Sequence, residues 1–299
     1  MKKTILVIGA TGAQGGSVVR HLLARGEFAV RALTRNSVGE GAQQLRALGA
    51  EVVAGSLDDR ASLRAALKDV YGCFGVTNYW EHFDKELDHG KNLINAVAGS
   101  SVEHFVFSSL PAMREISNGE LNVPHCDQKH VLEVYTKSMG IPSTFVHVAF
   151  YYDNFFSFFP PQKGPDGAYH FGFPQGDTPL AGVAAEDIGG PVAAIFADPA
   201  EYVGTTVGIV GDDIPAEEYA RVMASVAGKS VQYNFIPREI YATFPFPGAE
   251  DLADMFDFNR RFIPTRQRDV VRSRELYPAM QSFEQWAASR REAFNRLLA

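Results

Sequence analysis

Hydrophobic and polar positions follow two rhythms along the first half of the chain. Ile5-Leu6-Val7-Ile8 is a continuous apolar run, the pattern of a strand buried on both faces. Val18, Val19, Leu22 and Leu23 follow at helical spacing until Gly26 interrupts them. The exchange then repeats. Phe28 to Leu33 and Glu51-Val52-Val53 predict the second and third strands, and Leu45 and Leu48 mark a helix between them that Gly49 ends. Asp58 and Asp59 precede a helical run through Leu63, Ala66 and Leu67, where acids complement the positive end of a helix. Tyr71 to Val76, His104 to Phe107 and Thr144 to Val148 predict three more strands, with helices at Leu87 to Val97 and His125 to Met139.

Strands alternating with helices at this spacing predict a parallel sheet covered on both faces, a Rossmann-like, doubly wound α/β core over residues 1–150. Beyond residue 150 the texture changes. Prolines and glycines are dense from Pro160 to Pro179, and aromatic residues crowd Phe150 to Phe159. A helix at Ala184 to Phe196, a strand at Thr206 to Val210 and a helix at Ala216 to Val226 predict a smaller α+β lobe. It spans residues 151–299, serves a substrate or partner, and is partly woven back onto the sheet.

The first candidate chemistry lies between the first strand and helix, at Gly9-Ala10-Thr11-Gly12-Ala13-Gln14-Gly15. A diphosphate needs exposed backbone N–H donors, which a helix N-terminus provides, and side chains at the crossing would block its approach. Glycines three apart, directly after a strand and before a helix, therefore predict a dinucleotide site. About twenty residues on, an enzyme that uses NAD usually places an acid on the ribose 2′-hydroxyl. Here Thr34-Arg35-Asn36 ends the second strand, with no acid. A guanidinium grips a 2′-phosphate through paired, charge-assisted hydrogen bonds, so NADP(H) is the expected cofactor and NAD(H) a weaker one.

The helix opening His125-Cys126-Asp127-Gln128-Lys129 follows the strand end Ser108-Ser109. Residues four apart share a helix face, so His125 and Lys129 point the same way. Short-chain dehydrogenases place a serine at such a strand end and pair it with Tyr-x-x-x-Lys, the lysine lowering the tyrosine pKa. Histidine holds the tyrosine position here. Lys129 is left to hydrogen-bond the nicotinamide ribose, the usual proton donor is missing, and His125 or water would supply the proton.

At these residues the chain resembles the NmrA-like family of the atypical short-chain dehydrogenases, in particular its redox-sensor branch. The motifs that carry the resemblance are Gly9 to Val18, Val76-Thr77-Asn78-Tyr79-Trp80-Glu81 and the His125/Lys129 pair. Tyr151-Tyr152-Asp153-Asn154, Pro161-Gln162-Lys163 with Pro165-Asp166-Gly167, and Phe246-Pro247-Gly248-Ala249 with Asp251-Leu252-Ala253 extend it nearly end to end. The resemblance implies cofactor contacts from the glycine turn, Arg35, Thr77, Asn78, Tyr79, Lys129, Tyr151, Tyr152, Asp153 and Asn154. Ser56 and Leu57 stand where the family often has an acid near the adenine. A lysine sometimes found after Trp80-Glu81 is replaced by Asp88 or shifted to Lys91. Relatives include sensors that report redox state through a protein partner, and reductases of quinones, dyes or phenolic compounds.

Composition narrows the partners. The chain has 299 residues and a formal charge of −7, so no basic surface favours nucleic acid. Arg260, Arg261, Arg266 and Arg268 lie among acids and read as a solvated surface. Cys73 and Cys126 are too few and too scattered for a disulfide framework, and Cys126 reads as a small buried side chain. No metal site is expected: His82 and His89 lack a tighter cluster. The basic and apolar start from Met1 stops at the glycine turn, too short for an export signal, and no run approaches a membrane span. A cytoplasmic protein is expected, in which a homodimer would be unsurprising. Phe155-Phe156-Ser157-Phe158-Phe159 either lines an aromatic pocket or fills a core. Two functions stay open: a cofactor-responsive regulator, with the glycine-bearing loop Asn36 to Gly41 ordering around the 2′-phosphate, and an NADPH-dependent reductase of a quinone-like acceptor.

Overall fold

In a computed structural model, residues 2–299 are described; Met1 lies outside the described residues. They divide into two compact units. The first comprises residues up to Pro111, His125–Val148 and Ala185–Gly208, the second Ala112–Pro124, Ala149–Ala184 and Ile209–Ala299.

The first unit is built in chain order from β1 (Lys3–Val7), α1 (Ala13–Arg25), β2 (Phe28–Thr34), α2 (Glu40–Ala47), β3 (Glu51–Ala54), α3 (Arg60–Ala66), β4 (Gly72–Gly75) and α4 (Glu86–Ala98). There follow β5 (His104–Ser109), α5 (Pro124–Ser138), β6 (Ser143–Val148), α6 (Gly189–Ala197) and β7 (Thr206–Ile209). The seven strands form one sheet in the order β7-β6-β5-β4-β1-β2-β3. The pairs from β6 to β3 are all parallel. This is the expected Rossmann-like α/β architecture.

The apolar run of β1 is buried on both faces because each face is covered. Leu6 and Ile8 join a cluster with Leu63 and Leu67 of the α3 region, Leu93, Ile94 and Val97 of α4, and Phe105 and Phe107 of β5. On the opposite face a side chain at Gly72 would meet both Ile5 and Phe196 of α6, at 2.8 and 2.9 Å. The Ser17 hydroxyl fastens α1 to the start of α6, donating to Glu186 O at 2.5 Å and accepting from Gly189 N at 2.9 Å. The helix expected over Ala184 to Phe196 is shorter than that span: a 3-10 turn covers Ala185–Asp187, and α6 begins at Gly189. Pro191 has no N–H to give and fits only the first turn, so the helix starts just before it.

The second unit carries two three-stranded sheets, one of Asp212–Ile214, Leu180–Val183 and Phe150–Tyr151, the other of Val231–Phe235, Tyr169–Phe173 and Gln162–Lys163. Aromatic rings fill its interior. Phe173 stacks on Phe256 at 4.2 Å, and Phe155 packs among Phe171, Tyr219 and Phe283. Of the tract Phe155 to Phe159, then, Phe155 is core and Phe158 is exposed.

His104 opens β5 fully buried, beside Phe196 at 5.2 Å. Thr144 Oγ1 donates to Tyr202 O and so accepts from His104 Nε2 at 2.8 Å, while Nδ1 has no partner. Burial pushes this imidazole down from 6.5 to about 4, since a second ring proton would have no acceptor. The unfolded chain takes up that proton below its ordinary value of 6.5, whereas the folded state refuses it until about pH 4. Stability should therefore fall as the pH drops through this window, by up to about 3 kcal/mol from this residue. Denaturant midpoints at pH 7 and pH 4.5 should lie closer together in His104→Gln, which keeps the donor to Thr144. An equal spread in both proteins would remove His104 from the acid response.

Candidate functional site

The strand order reverses between β1 and β4. In open parallel sheets ligands lie beyond the carboxyl ends of the strands at such a reversal. Two segments meet there: the turn after β1 and the loop 76–85 after β4.

The turn is shaped by its glycines. Gly9 adopts φ +64°, and a side chain on it would lie 3.0 Å from Val76 Cγ1. Gly12 N donates to Gly9 O at 2.9 Å and closes the turn. Gly15 sits where a Cβ would lie 2.2 Å from that same carbonyl oxygen, so only glycine lets α1 begin against the end of β1. Gly9, Thr11, Gly12 and Ala13 are exposed, Gln14 is half-buried and Ala10 is buried. Gly12 caps α1 without a side-chain acceptor, and no acid stands in its first turn. The positive end of this helix is thus left without a side-chain anion from its own first turn, behind a backbone that side chains would fill. That arrangement fits a diphosphate.

Gly41 of α2 packs against Thr11 of this turn, with an added Cβ only 3.2 Å from its methyl carbon, and Arg35 follows β2 as an exposed residue. Its guanidinium pairs with Glu81 Oε1 at 2.8 Å and lies 3.3 Å from His82 Nε2. The other Glu81 oxygen accepts from Asn78 Nδ2 at 3.1 Å. The Arg35 guanidinium beside Glu81 holds its carboxyl below the usual range. The neighbouring segment, expected to order around the 2′-phosphate, carries hydrogen bonds of its own. Val38 N donates to Asn36 Oδ1, Gln43 Nε2 to Val38 O and Arg46 Nη1 to Ser37 O, and α2 starts at Glu40. Ser56 and Leu57 follow β3 half-buried, with the Ser56 hydroxyl accepting from Asp58 N at 3.2 Å.

Lys129, on α5, reaches the loop after β4. Its ammonium donates to Thr77 O at 3.1 Å, Thr77 Oγ1 at 2.9 Å and Glu86 Oε1 at 2.6 Å. The Thr77 hydroxyl donates to the same Glu86 oxygen at 2.5 Å. Glu86 is 1% exposed and its second oxygen has no partner. This carboxylate was not anticipated. In sequence it is an ordinary first-turn acid of α4, and nothing local marks it as buried against a lysine 43 residues away.

His125 is buried against the aromatic loop, with ring centroids 5.0 Å from Trp80 and 6.0 Å from Tyr79. Cys126 is buried, its sulfur 3.3 Å from His125 Nε2. Ser109 donates to main-chain oxygens, Lys129 O at 3.2 Å among them, and so ties β5 to α5. The structure therefore brings together Gly9 to Gly15, Arg35, Thr77, Asn78, Tyr79, His125 and Lys129 in the first unit. Tyr151 to Asn154 belong to the second, where Tyr151 pairs with Val183 and Tyr152 to Phe156 form a 3-10 turn. The Tyr152 ring is fully buried among Tyr219, Phe283 and Trp286, so it offers no ring face to a ligand. Among the described residues no group of three or more His, Cys, Asp and Glu is arranged to hold a metal ion, and no helix is long and apolar enough to cross a membrane.

Comparison with known proteins adds to this geometry. The sequence model of the NmrA-like family matches residues 1–287. An NmrA-like family domain-containing protein of Dictyostelium discoideum is 30% identical over 247 residues, 79% of this chain and 81% of the relative. The NmrA-like family domain-containing oxidoreductase FrzB of Cladobotryum sp is 31% identical over 281 residues, 86% of this chain and 83% of that one. Among solved structures the fold matches NmrA, a negative transcriptional regulator, in its complex with NAD (TM-score 0.84) and with NADP (TM-score 0.83). Both are 25% identical and cover 99% of this chain and 97% of theirs. A match of sequence and of fold over nearly the whole length makes this chain a member of the NmrA-like family.

Proposed function

We propose that this protein binds NADP(H) in preference to NAD(H) and acts as a redox sensor whose output is read by a protein partner. The observation that carries the reading is the uncapped start of α1 behind the glycine turn, with Arg35 after β2 where an acid would hold a free ribose 2′-hydroxyl. Support comes from NmrA, a regulator solved with NAD and with NADP. In this reading the backbone of Gly9 to Gly15 holds the diphosphate and Arg35 grips the 2′-phosphate. Ser56 and Leu57 flank the adenine, and Thr77, Asn78 and Tyr79 line the remainder. Lys129 holds the nicotinamide ribose by exchanging one of its two Thr77 contacts for a ribose hydroxyl while keeping Glu86. The tyrosine of the dehydrogenase triad has no phenolic substitute at position 125, which favours sensing over turnover.

A second reading is an NADPH-dependent reductase of a quinone-like acceptor, favoured by the Cladobotryum relative's description as an oxidoreductase. The bound cofactor would supply the hydride. His125, four residues before Lys129, would supply the proton, and an acceptor whose reduced oxygens are acidic needs little help from a strong acid. A panel of quinones and aldehydes separates the two readings: steady NADPH oxidation with any of them establishes the reductase, and none despite proven binding leaves the sensor.

Arg35→Ala should weaken NADPH binding by roughly tenfold or more, from the loss of charge-assisted hydrogen bonds, and leave NADH nearly unchanged. Calorimetric titration with both coenzymes checks this, and an unaltered ratio defeats the assignment. Lys129→Ala should weaken both coenzymes. It also strands the Glu86 carboxylate, so it should cost roughly 3–5 kcal/mol of stability as well. Adding Glu86→Gln should restore most of that stability but not the affinity. If the double variant unfolds as early as the single one, the buried pair is not what Lys129 contributes to the fold.

A further inference from the structure

Arg35 does not wait for a ligand as a bare cation. A carboxylate from the loop after β4 already sits on its guanidinium, 2.8 Å away. The pair is open to water, with 61% of the Arg35 side chain and 42% of the Glu81 side chain exposed. Exposed pairs of this kind are weak, and a phosphate of higher charge can displace one. A phosphate and Glu81 on the same guanidinium would also repel each other. The residue before Glu81 is Trp80, whose ring lies 5.0 Å from the His125 imidazole and edge-to-face with Tyr79 at 5.3 Å. His125 stands on α5 one turn before Lys129. A displacement of Glu81 is therefore one peptide bond from a ring that rests on the opposite end of the site.

We propose that Glu81 is the specificity-determining partner of Arg35: it occupies the guanidinium beside a free 2′-hydroxyl, yields it to a 2′-phosphate, and passes that exchange through Trp80 to His125. The proposal rests on the reading of Arg35 as the 2′-phosphate site and adds how a bound phosphate becomes a change elsewhere in the protein. A ligand shifts a conformational equilibrium only by its differential affinity for the two states. Here the differential contact is the 2′-phosphate alone. Both coenzymes share the glycine turn, but only the phosphorylated one competes with Glu81. The segment from Thr77 to Lys85 thus has two arrangements, set by which anion Arg35 holds.

Calorimetric titration of the full chain with NADPH, NADH and adenosine 2′,5′-bisphosphate tests the first half. Glu81→Gln removes the competing charge and should tighten the two ligands that carry a 2′-phosphate by roughly three- to tenfold, with NADH changed less than twofold. Arg35→Ala serves as the separate control. If it leaves coenzyme preference untouched, the Arg35 reading itself fails. If it abolishes the preference while Glu81→Gln binds NADPH no more tightly than the parent, the Glu81 proposal fails alone. The second half is read by 19F NMR of the chain labelled with 5-fluorotryptophan, which has two tryptophans, Trp80 and Trp286. Loss of one signal in Trp80→Phe assigns them. Saturating adenosine 2′,5′-bisphosphate should move the Trp80 resonance and saturating AMP should not, and in ligand-free Glu81→Gln it should already lie near the displaced position. An identical Trp80 shift with both nucleotides overturns the relay.

Discussion

The first unit turns on the close approach of α1 to the end of β1, where the Gly9 carbonyl lies so near Gly15 that a Cβ there would stand 2.2 Å from its oxygen. That contact sets the direction of the helix, and with it the direction of the N–H groups in its first turn. It also sets where Ser17 falls, and Ser17 carries α6 through Glu186 and Gly189. One carbonyl oxygen closes the turn through Gly12 and limits the side chain at Gly15. A feature needed for ligand approach is thereby also a packing feature, because the ligand-facing backbone and the helix–strand contact are the same few atoms.

The parts of this fold that were legible in sequence are those whose signal is local. β1, β2 and β5 carry apolar runs, interrupted in β2 only by Arg31, because both faces of the sheet are covered, and their bounds fall within a residue or two of the hydrophobic pattern. The glycine turn is legible because backbone geometry, not a distant partner, demands its residues. The start of α6 was misplaced by its apolar composition: Ala184 and Ala185 continue the hydrophobic pattern but lie in the link after Val183 and in a 3-10 turn, while Gly189 marks the true start by its contact with Ser17. The stretch after Val226 was the least legible. Its helix Ala249–Phe262 buries Asp251, Asp254 and Asp257, and the latter two hold Arg238 and Arg260, although Arg260 reads in sequence as part of a solvated surface.

The site divides along the same line. Arg35 and Lys129 stand out in sequence because each lies at a fixed offset from a local motif. Glu81 and Glu86 were not given roles, because what distinguishes them is a partner brought by the fold. An acid in the first turn of α4 has a sufficient local explanation in the helix dipole, and that explanation hides its burial. Tyr152 shows the converse. A family motif marks its position, but the chemistry of its ring is spent on Tyr219, Phe283 and Trp286.

Taken together, the two missed carboxylates describe one design. Each cation expected to hold the cofactor is matched by an anion from the single segment that follows β4, Glu81 for Arg35 and Glu86 for Lys129. The two pairs differ in their surroundings. Glu86 is buried with its second oxygen unpartnered, and Lys129 meets three acceptors with the three donors that an ammonium has. Such a pair is costly to open and acts as a fixed post. Arg35 and Glu81 face water and can exchange partners at little cost. Lys129 holds both ends of the segment, at Thr77 and Glu86, while the exchangeable pair sits at its middle, so the segment is anchored yet has one loose contact. In the proposed exchange only an anion competes with Glu81, and of the two nicotinamide coenzymes only one carries an additional anion at the ribose.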